Sequence, residues 1–181
     1  MLPEIETSRL TLRELSPQDA PVIESAWQNS PTQWLYQAVE PVEFTNVAER
    51  IANYLKYRGD GERRRIYDYL ARLKSDGSVI GGVSLGRSHP AIASIGLRVV
   101  PSHGGRGYGT ELARRMLAFG FSDLRLHRIE ADVALENRPC IRALEKIGMR
   151  REGVARECIF AQGRWWTEAR YAMLASDSAA A

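Results

Sequence analysis

The chain has 181 residues, of which 44% are hydrophobic and 26% are charged. This composition is that of an ordinary globular protein, and the length suits one domain with a substantial core. The formal net charge of +3 is too small to indicate a nucleic-acid-binding protein by itself. No stretch approaches the roughly 20 apolar residues of a membrane span, and the first residues lack a secretory signal. We therefore expect a cytoplasmic protein that binds neither membrane nor nucleic acid.

Strand and helix patterns alternate along the chain. A strand is expected over 8–15, then a helix from a cap at Ser16 to about residue 29 and an irregular stretch over 30–43. A helix over 46–57 precedes a hairpin of strands at 65–74 and 78–85 and a strand at 91–100. Helices over 110–124 and 137–147 flank a short strand at 128–133, and a hairpin of 150–160 and 167–175 precedes a polar tail at 176–181. This order predicts a single α/β (α+β) domain over 1–181, with its core at about 7–175.

The most informative stretch is the loop after the strand at 91–100. It contains glycines at 104, 105, 107 and 109, together with Arg106. Glycine lets the backbone approach a ligand closely, and the first N–H groups of a helix have no intrahelical acceptor, so this arrangement favours an anion. The loop lacks the lysine of a nucleoside-triphosphate loop and the acidic ribose ligand of a dinucleotide fold. We expect it to bind the pyrophosphate of a different carrier.

Five segments of the chain match, in the same order, the sequence motifs of a known family. They are Ser8-Arg9-Leu10-Thr11-Leu12-Arg13, Leu97-Arg98-Val99, the stretch Gly104 to Thr110, His127-Arg128-Ile129-Glu130-Ala131, and a segment from Glu136 to Gly153. With these segments, the chain resembles the GNAT superfamily of acyl-CoA-dependent N-acyltransferases over about 7–175. It is most similar to the branch that contains the ribosomal-protein alanine and serine N-terminal acetyltransferases. The resemblance implies a mixed, mostly antiparallel central sheet with helices on both faces.

The resemblance also implies a cosubstrate, acetyl-CoA, and no metal. The backbone of the strand would bond the pantetheine, and the loop N–H groups would hold the pyrophosphate. By position, the strand residues are Leu97, Arg98 and Val99, and the loop residues are Gly104, Gly105, Arg106, Gly107, Tyr108, Gly109 and Thr110. Asn137 lies where the family places an amide against the cofactor near its thiol, and it also suits a plain helix cap.

The acid and base groups depart from the family pattern. The place of a frequent strand glutamate is taken by Ser94, and the place of a frequent helix tyrosine by Leu144. Cys140 falls where the resembled branch has a serine that donates a proton to the leaving thiolate, and Glu157 is the nearest candidate for the base, which makes these two the predicted catalytic residues. Cys140 and Cys158 are the only cysteines, lack metal-ligand spacing and are expected to be reduced.

The acceptor is an amine whose nature stays open. In the superfamily, the loops that border the acceptor site correspond to Trp34, Tyr36, Trp165 and Trp166, which we expect to wall a pocket. A site without an evident base favours an amine of low pKa, such as a peptide N-terminus. A metabolite or antibiotic amine is the alternative, and a CoA-binding module with little catalysis is another. An arginine-rich RNA-binding domain is the least favoured. The protein is expected to be a monomer or a homodimer.

Overall fold

A computed structural model describes residues 2–27, 47–161 and 163–178. The strands are β1 (Ile5–Glu6), β2 (Leu10–Glu14), β3 (Ile66–Leu73), β4 (Val79–His89), β5 (Ile92–Val99), β6 (Arg128–Ala134), β7 (Arg150–Ala161) and β8 (Arg164–Leu174). The α-helices are α1 (Ala20–Trp27), α2 (Val47–Tyr57), α3 (Tyr108–Ala118), α4 (Arg138–Lys146) and α5 (Ala175–Ser178). Short 3-10 helices occupy Pro17–Asp19, Gly61–Arg63 and Pro101–His103, and a π-helical turn occupies Phe119–Asp123.

The described strands form one eight-stranded sheet in the order β1-β2-β3-β4-β5-β6-β8-β7. Within it, β5 and β6 pair in parallel, and α3 lies in the connection between them. Every other neighbouring pair of these strands is antiparallel. The predicted mixed, mostly antiparallel sheet is therefore confirmed.

Residues on both faces of the sheet centre are buried. Five consecutive residues of β3, from Tyr67 to Ala71, are all buried, which requires cover on both sides because successive side chains alternate. On one face, Phe119 meets the rings of Tyr67 and Tyr69 at centroid distances of 5.7 and 6.0 Å. These edge-on contacts fix the end of α3 and its π-helical turn against the middle of the sheet.

The predicted elements are present, with differences at their ends. Residues 5–6 form an additional edge strand, and the helix after the glycine loop begins at Tyr108, two residues earlier than expected. Residues 176–178, expected in a polar tail, belong to the short helix α5. The last hairpin is tighter than predicted, because Gly163 adopts φ of 75° and Ala161 pairs directly with Arg164. In the described part of the chain, no helix is long and apolar enough to cross a membrane.

Candidate active site

The sheet divides where its two parallel strands separate. The pairing of β5 with β6 runs from Ile92 to Ser94, although β5 continues to Val99. Beyond the end of this pairing, β6 also continues, to Ala134, and it stays paired with β8. The two strands thus diverge toward their carboxyl ends. A divergence of this kind leaves a wedge in the sheet whose walls are backbone, which can hold an extended ligand by hydrogen bonds.

The glycine loop follows the diverging end of β5. Gly105 and Gly107 have φ of 73° and 81°, values in the left-handed region that favours glycine. Gly107 is also the N-cap of α3, so the loop turns directly into the first turn of the helix. The N–H groups of that turn and the helix dipole favour a negative charge there.

The N-terminal turn at Thr7–Arg9 binds the start of α3 through Glu111, and we call this set of contacts the clasp. Glu111 accepts hydrogen bonds from Thr7 Oγ1 at 2.5 Å, from the Arg9 backbone N–H at 3.0 Å and from Arg9 Nε at 2.7 Å. The Arg9 guanidinium also donates to the carbonyl oxygen of Arg106 at 3.0 Å and lies 4.4 Å from the Tyr108 ring centroid. Burial opposes ionisation of Glu111, but these donors outweigh it and hold its pKa below the ordinary value.

A groove of about 530 Å³ lies beside this clasp. Its lining includes the loop residue Gly107 and four cationic residues, Arg9, Arg114, Arg115 and Lys146. The positive end of α3 and the basic side chains act in the same direction. The groove therefore suits a ligand with several phosphate charges.

A second helix start faces the wide end of the wedge. Asn137 caps α4, because its Oδ1 accepts a hydrogen bond from the Cys140 N–H at 3.2 Å. The Cys140 side chain is half-buried against the core. Burial raises the pKa of the Cys140 thiol to about 11, so this residue is a neutral thiol at physiological pH. Leu144, at the place of the family tyrosine, is buried in the core.

One face of the wedge is open and polar. Ser94 and Gly96 are exposed although β5 lies in the middle of the sheet. Around them lie three arginine–carboxylate pairs, each within 4 Å: Arg98–Asp68, Arg128–Glu130 and Arg170–Asp132. The half-buried Glu168 lies on this face of β8, directly opposite Ala134. An open polar face beside the wedge can admit a charged acceptor.

The predicted site residues on β7 and β8 differ in their exposure to solvent. Glu157 is exposed, with φ of 49° in an irregular part of β7. Trp165 is exposed on β8 and stacks edge-on with Phe160 at 5.3 Å. Trp166 corrects the prediction of a loop position, because it lies within β8 and is buried. Its Nε1 donates to the Ala161 carbonyl oxygen at 3.0 Å, which explains how the indole is accommodated in the interior.

Trp34 and Tyr36 lie outside the described residues. The strand residues Leu97, Arg98 and Val99 are half-buried at the diverging end of β5, next to the loop from Gly104 to Thr110. The fold therefore brings the predicted strand, loop and Asn137 to one end of the wedge. In the described part of the chain, no three His, Cys, Asp or Glu residues are placed to hold a metal ion.

The sequence profile described as an acetyltransferase (GNAT) domain matches residues 9–150. The chain belongs to the GNAT acetyltransferase family. An N-acetyltransferase of Bacillus licheniformis, p20, is 32% identical over 165 residues, which cover 87% of this chain and 88% of that protein. The protein is thus an acetyltransferase, and enzymes of the GNAT family use acetyl-CoA.

Two solved structures are similar to this chain in fold. Spermidine N-acetyltransferase from Vibrio cholerae, in complex with CoA and spermine, is 28% identical with a TM-score of 0.81, covering 96% of this chain and 99% of that one. Ribosomal-protein-S5-alanine acetyltransferase from Vibrio fischeri has a TM-score of 0.81 and covers 96% of this chain and 97% of its own. At 17% identity, the second similarity concerns the fold alone.

Two contributors to the site were not predicted from the sequence. The Arg9–Glu111 clasp joins residues that are 102 positions apart, and no local pattern indicates it. Glu168 was missed because its place opposite Ala134 depends on the pairing of β8 with β6, which no local pattern indicates. The alternation of Trp166, Glu168 and Arg170 along β8 was the available signal for a half-polar strand face.

Proposed function

We propose that this enzyme transfers an acetyl group from acetyl-CoA directly to a primary amine of a small cationic acceptor, such as a polyamine. The observation that supports this most is the juxtaposition of the wedge with the open polar face. The wedge and the glycine loop suit the donor, and Glu168 supplies a negative charge on the acceptor side that no arginine of the described residues pairs with.

The donor would lie across the end of the sheet. The loop from Gly104 to Thr110 and the first turn of α3 would hold the pyrophosphate through backbone N–H groups. The backbone of Leu97, Arg98 and Val99 would hold the pantetheine and donate to the thioester carbonyl oxygen as negative charge develops on it. Residues of the basic groove, Arg114 and Arg115 among them, would neutralise further phosphate charge.

At the wide end of the wedge, the residues of α4 would meet the sulfur. The candidate side chains are the amide of Asn137, which is the N-cap of α4, and the thiol of Cys140 in its first turn. A thiol whose pKa is raised to about 11 is a weaker acid than an ordinary thiol, whose pKa is about 8.5. Cys140 would therefore donate a hydrogen bond to the leaving thiolate, and water would supply the final proton.

A peptide N-terminus is the second candidate acceptor. It is favoured by the resemblance of the sequence motifs to the ribosomal-protein N-terminal acetyltransferases. An α-amine has a pKa of about 8, so part of it is already neutral at physiological pH and less help from a base is needed. The small cationic acceptor ranks first because the negative charge of Glu168 would attract a cation to the open polar face. The Vibrio cholerae spermidine N-acetyltransferase is a family relative named for a polyamine acceptor.

Release of free thiol from acetyl-CoA tests these assignments. The panel consists of spermidine, an Ala-initiated peptide and an N-blocked peptide with one lysine. We expect kcat/KM for spermidine to exceed that of the Ala-initiated peptide by about tenfold or more, and the blocked lysine peptide to be the poorest acceptor. A preference for the Ala-initiated peptide would favour the second candidate. Binding of CoA without thiol release for any amine would favour a CoA-binding module.

A further inference from the structure

We propose that Glu168 is the general base that takes the proton from the acceptor ammonium group. This inference rests on the proposed acetylation of an amine, but it holds for either acceptor class. The sequence indicated no convincing base, and Glu168 lies on a strand beyond the segments that carry the family resemblance. Its position in the sheet, the charges around it and the engagement of the neighbouring carboxylates all support this role.

Glu168 lies beside the part of the wedge that has opened. On β8 it is paired with Ala134 of β6 on one side and with Ala155 of β7 on the other. Residues opposite one another share a face of the sheet. Ala134 is buried against Trp166, whereas Ala155 is exposed, and the half-buried Glu168 lies between them. The parallel pairing of β5 and β6 ends at Glu130, four residues before Ala134. Glu168 therefore stands on the strand next to β6, one strand away from the opened wedge.

The other carboxylates of this face are already engaged. Arg128 Nε donates to Glu130 at 2.6 Å, and Arg170 Nε donates to Asp132 at 2.9 Å. Among the described residues, no arginine or lysine forms an ion pair with Glu168. The Oε2 atom of Glu168 lies 3.9 Å from Cys158 Sγ, which is at most a weak donor. The lone pairs of Glu168 are thus available to an incoming ammonium group.

The surroundings of Glu168 also favour proton uptake. Burial raises its pKa above the ordinary value, and the negative charge of Asp132 on β6 adds to this effect. Cys158 on β7 and Arg170 on β8 lower the pKa of Glu168, but they do not cancel the rise. A carboxylate with a raised pKa binds a proton more readily at neutral pH, which is the property that a general base requires.

Glu157, the base expected from the sequence, is a weaker candidate. Its side chain is exposed on the edge strand β7, and its backbone N–H donates to Thr167 Oγ1 at 3.1 Å. That strand is the outermost of the sheet, and β8 separates it from β6 and the wedge. Glu157 therefore lies one strand further from the wedge than Glu168.

The proposed step balances without any other reagent. The acceptor ammonium gives one proton to a Glu168 carboxylate oxygen and becomes a neutral amine. The amine nitrogen then forms a bond to the carbonyl carbon of acetyl-CoA, and the carbon–sulfur bond breaks. The second amine proton passes to solvent, and the departing thiolate is protonated to free CoA. Glu168 returns its proton to water before the next turnover.

The test is the pH dependence of kcat/KM for wild type and Glu168→Gln, using the best acceptor of the panel. Glutamine keeps the shape of the side chain but does not take up the proton. At neutral pH, we expect the variant to lose about a hundredfold in kcat/KM, with most of the loss recovered as pH approaches the pKa of the free amine. Wild type should show a rise with pH through the raised pKa of Glu168, and the variant should lack this limb. The dissociation constant of CoA should stay within about twofold.

Two further variants separate catalysis from structure. Glu152→Gln removes a carboxylate of β7 that accepts a hydrogen bond from Arg128 at 2.8 Å, and its pH dependence should match wild type. Glu157→Gln should do the same. If Glu168→Gln retains wild-type kcat/KM and its low-pH limb, or if the limb disappears in Glu157→Gln instead, the proposal is overturned. If wild type acetylates no amine at all while binding CoA, the proposed function fails first, and Glu168 has no proton to take.

Discussion

Arg9 and Glu111 connect the start of the sheet to the glycine loop through a paired contact, in which Arg9 Nε and Nη2 lie 2.7 and 2.6 Å from Glu111 Oε2. The same guanidinium holds the carbonyl oxygen of Arg106 in the loop. An isolated ion pair at the surface contributes little to stability. This one carries additional hydrogen bonds from Thr7 and Ser8, so the main role we assign to it is to position the loop.

Removing the clasp should weaken CoA binding more than it weakens the fold. We expect Glu111→Gln and Arg9→Ala each to raise the dissociation constant of CoA by about three- to tenfold, since the loop loses its anchor. The free energy of unfolding should fall by only about 1 kcal/mol. Calorimetric titration with CoA and urea unfolding measure the two effects. A Lys74→Ala variant, which removes an exposed ion pair with Glu6, is a control that should leave CoA binding unchanged. Equal effects on binding in all three variants would contradict this role.

The glycine loop should not accept a negative charge. Gly107→Glu places a carboxylate where the pyrophosphate is expected, and we expect CoA affinity to fall by more than about a hundredfold. Gly107→Ala is the matched control, because φ of 81° strains any residue with a Cβ while alanine adds no charge. It should cost roughly 1 kcal/mol of stability and weaken CoA binding by less than about tenfold. Similar losses of affinity in both variants would show that strain, and not charge, disrupts the site.

Cys140 should assist turnover without becoming acetylated. Because burial raises the pKa of its thiol to about 11, it is protonated at neutral pH and is a poor nucleophile. We expect Cys140→Ser to retain most of its activity and Cys140→Ala to lose about tenfold in kcat. Mass spectrometry of the enzyme incubated with acetyl-CoA alone should show no acetyl adduct on Cys140. A kinetically competent adduct would contradict direct attack by the amine.

Glu14 should contribute stability that depends on pH. This buried carboxylate accepts hydrogen bonds from the Leu2 N–H at 2.6 Å and from Arg58 at 2.9 Å, and it also pairs with Arg64, whose side chain is 11% exposed. Burial opposes its ionisation, but these donors lower its pKa below the ordinary value of 4.5. Its contribution is therefore complete above that value and declines as pH falls through the lower, folded-state pKa.

Glu14→Gln should accordingly lower the free energy of unfolding at pH 7 by roughly 3 kcal/mol, because Arg64 keeps its charge without a full partner. The difference from wild type should shrink toward about pH 3. Glu6→Gln, which removes an exposed partner of Lys74, should cost less than about 1 kcal/mol at either pH. Urea unfolding at the two pH values measures these quantities. A Glu14 effect that is independent of pH would indicate that packing, and not charge, is responsible.

Local signals in the sequence were sufficient to predict most of the helices and strands and to point to the glycine loop. The glycine loop, the Asn137 cap and the hairpin at Ser75-Asp76-Gly77 depend on residues within a few positions of one another. Their chemistry is therefore readable without the fold. The motif order then identified the family, and the resemblance implied a mixed, mostly antiparallel sheet. The divergence of β5 and β6 was found only in the structure.

The acceptor side depended on tertiary structure. Glu168 lies one strand from the wedge only because β8 is inserted between β6 and β7, so that it pairs with Ala134, 34 positions earlier. Arg9 reaches the loop only because β2 and α3 lie at the same end of the sheet. Trp166 is buried because a tight turn starts β8 earlier than the local pattern predicted. Strand order and register decide which distant side chains share a face, and pairing between distant strands leaves no periodic trace in the sequence of either strand.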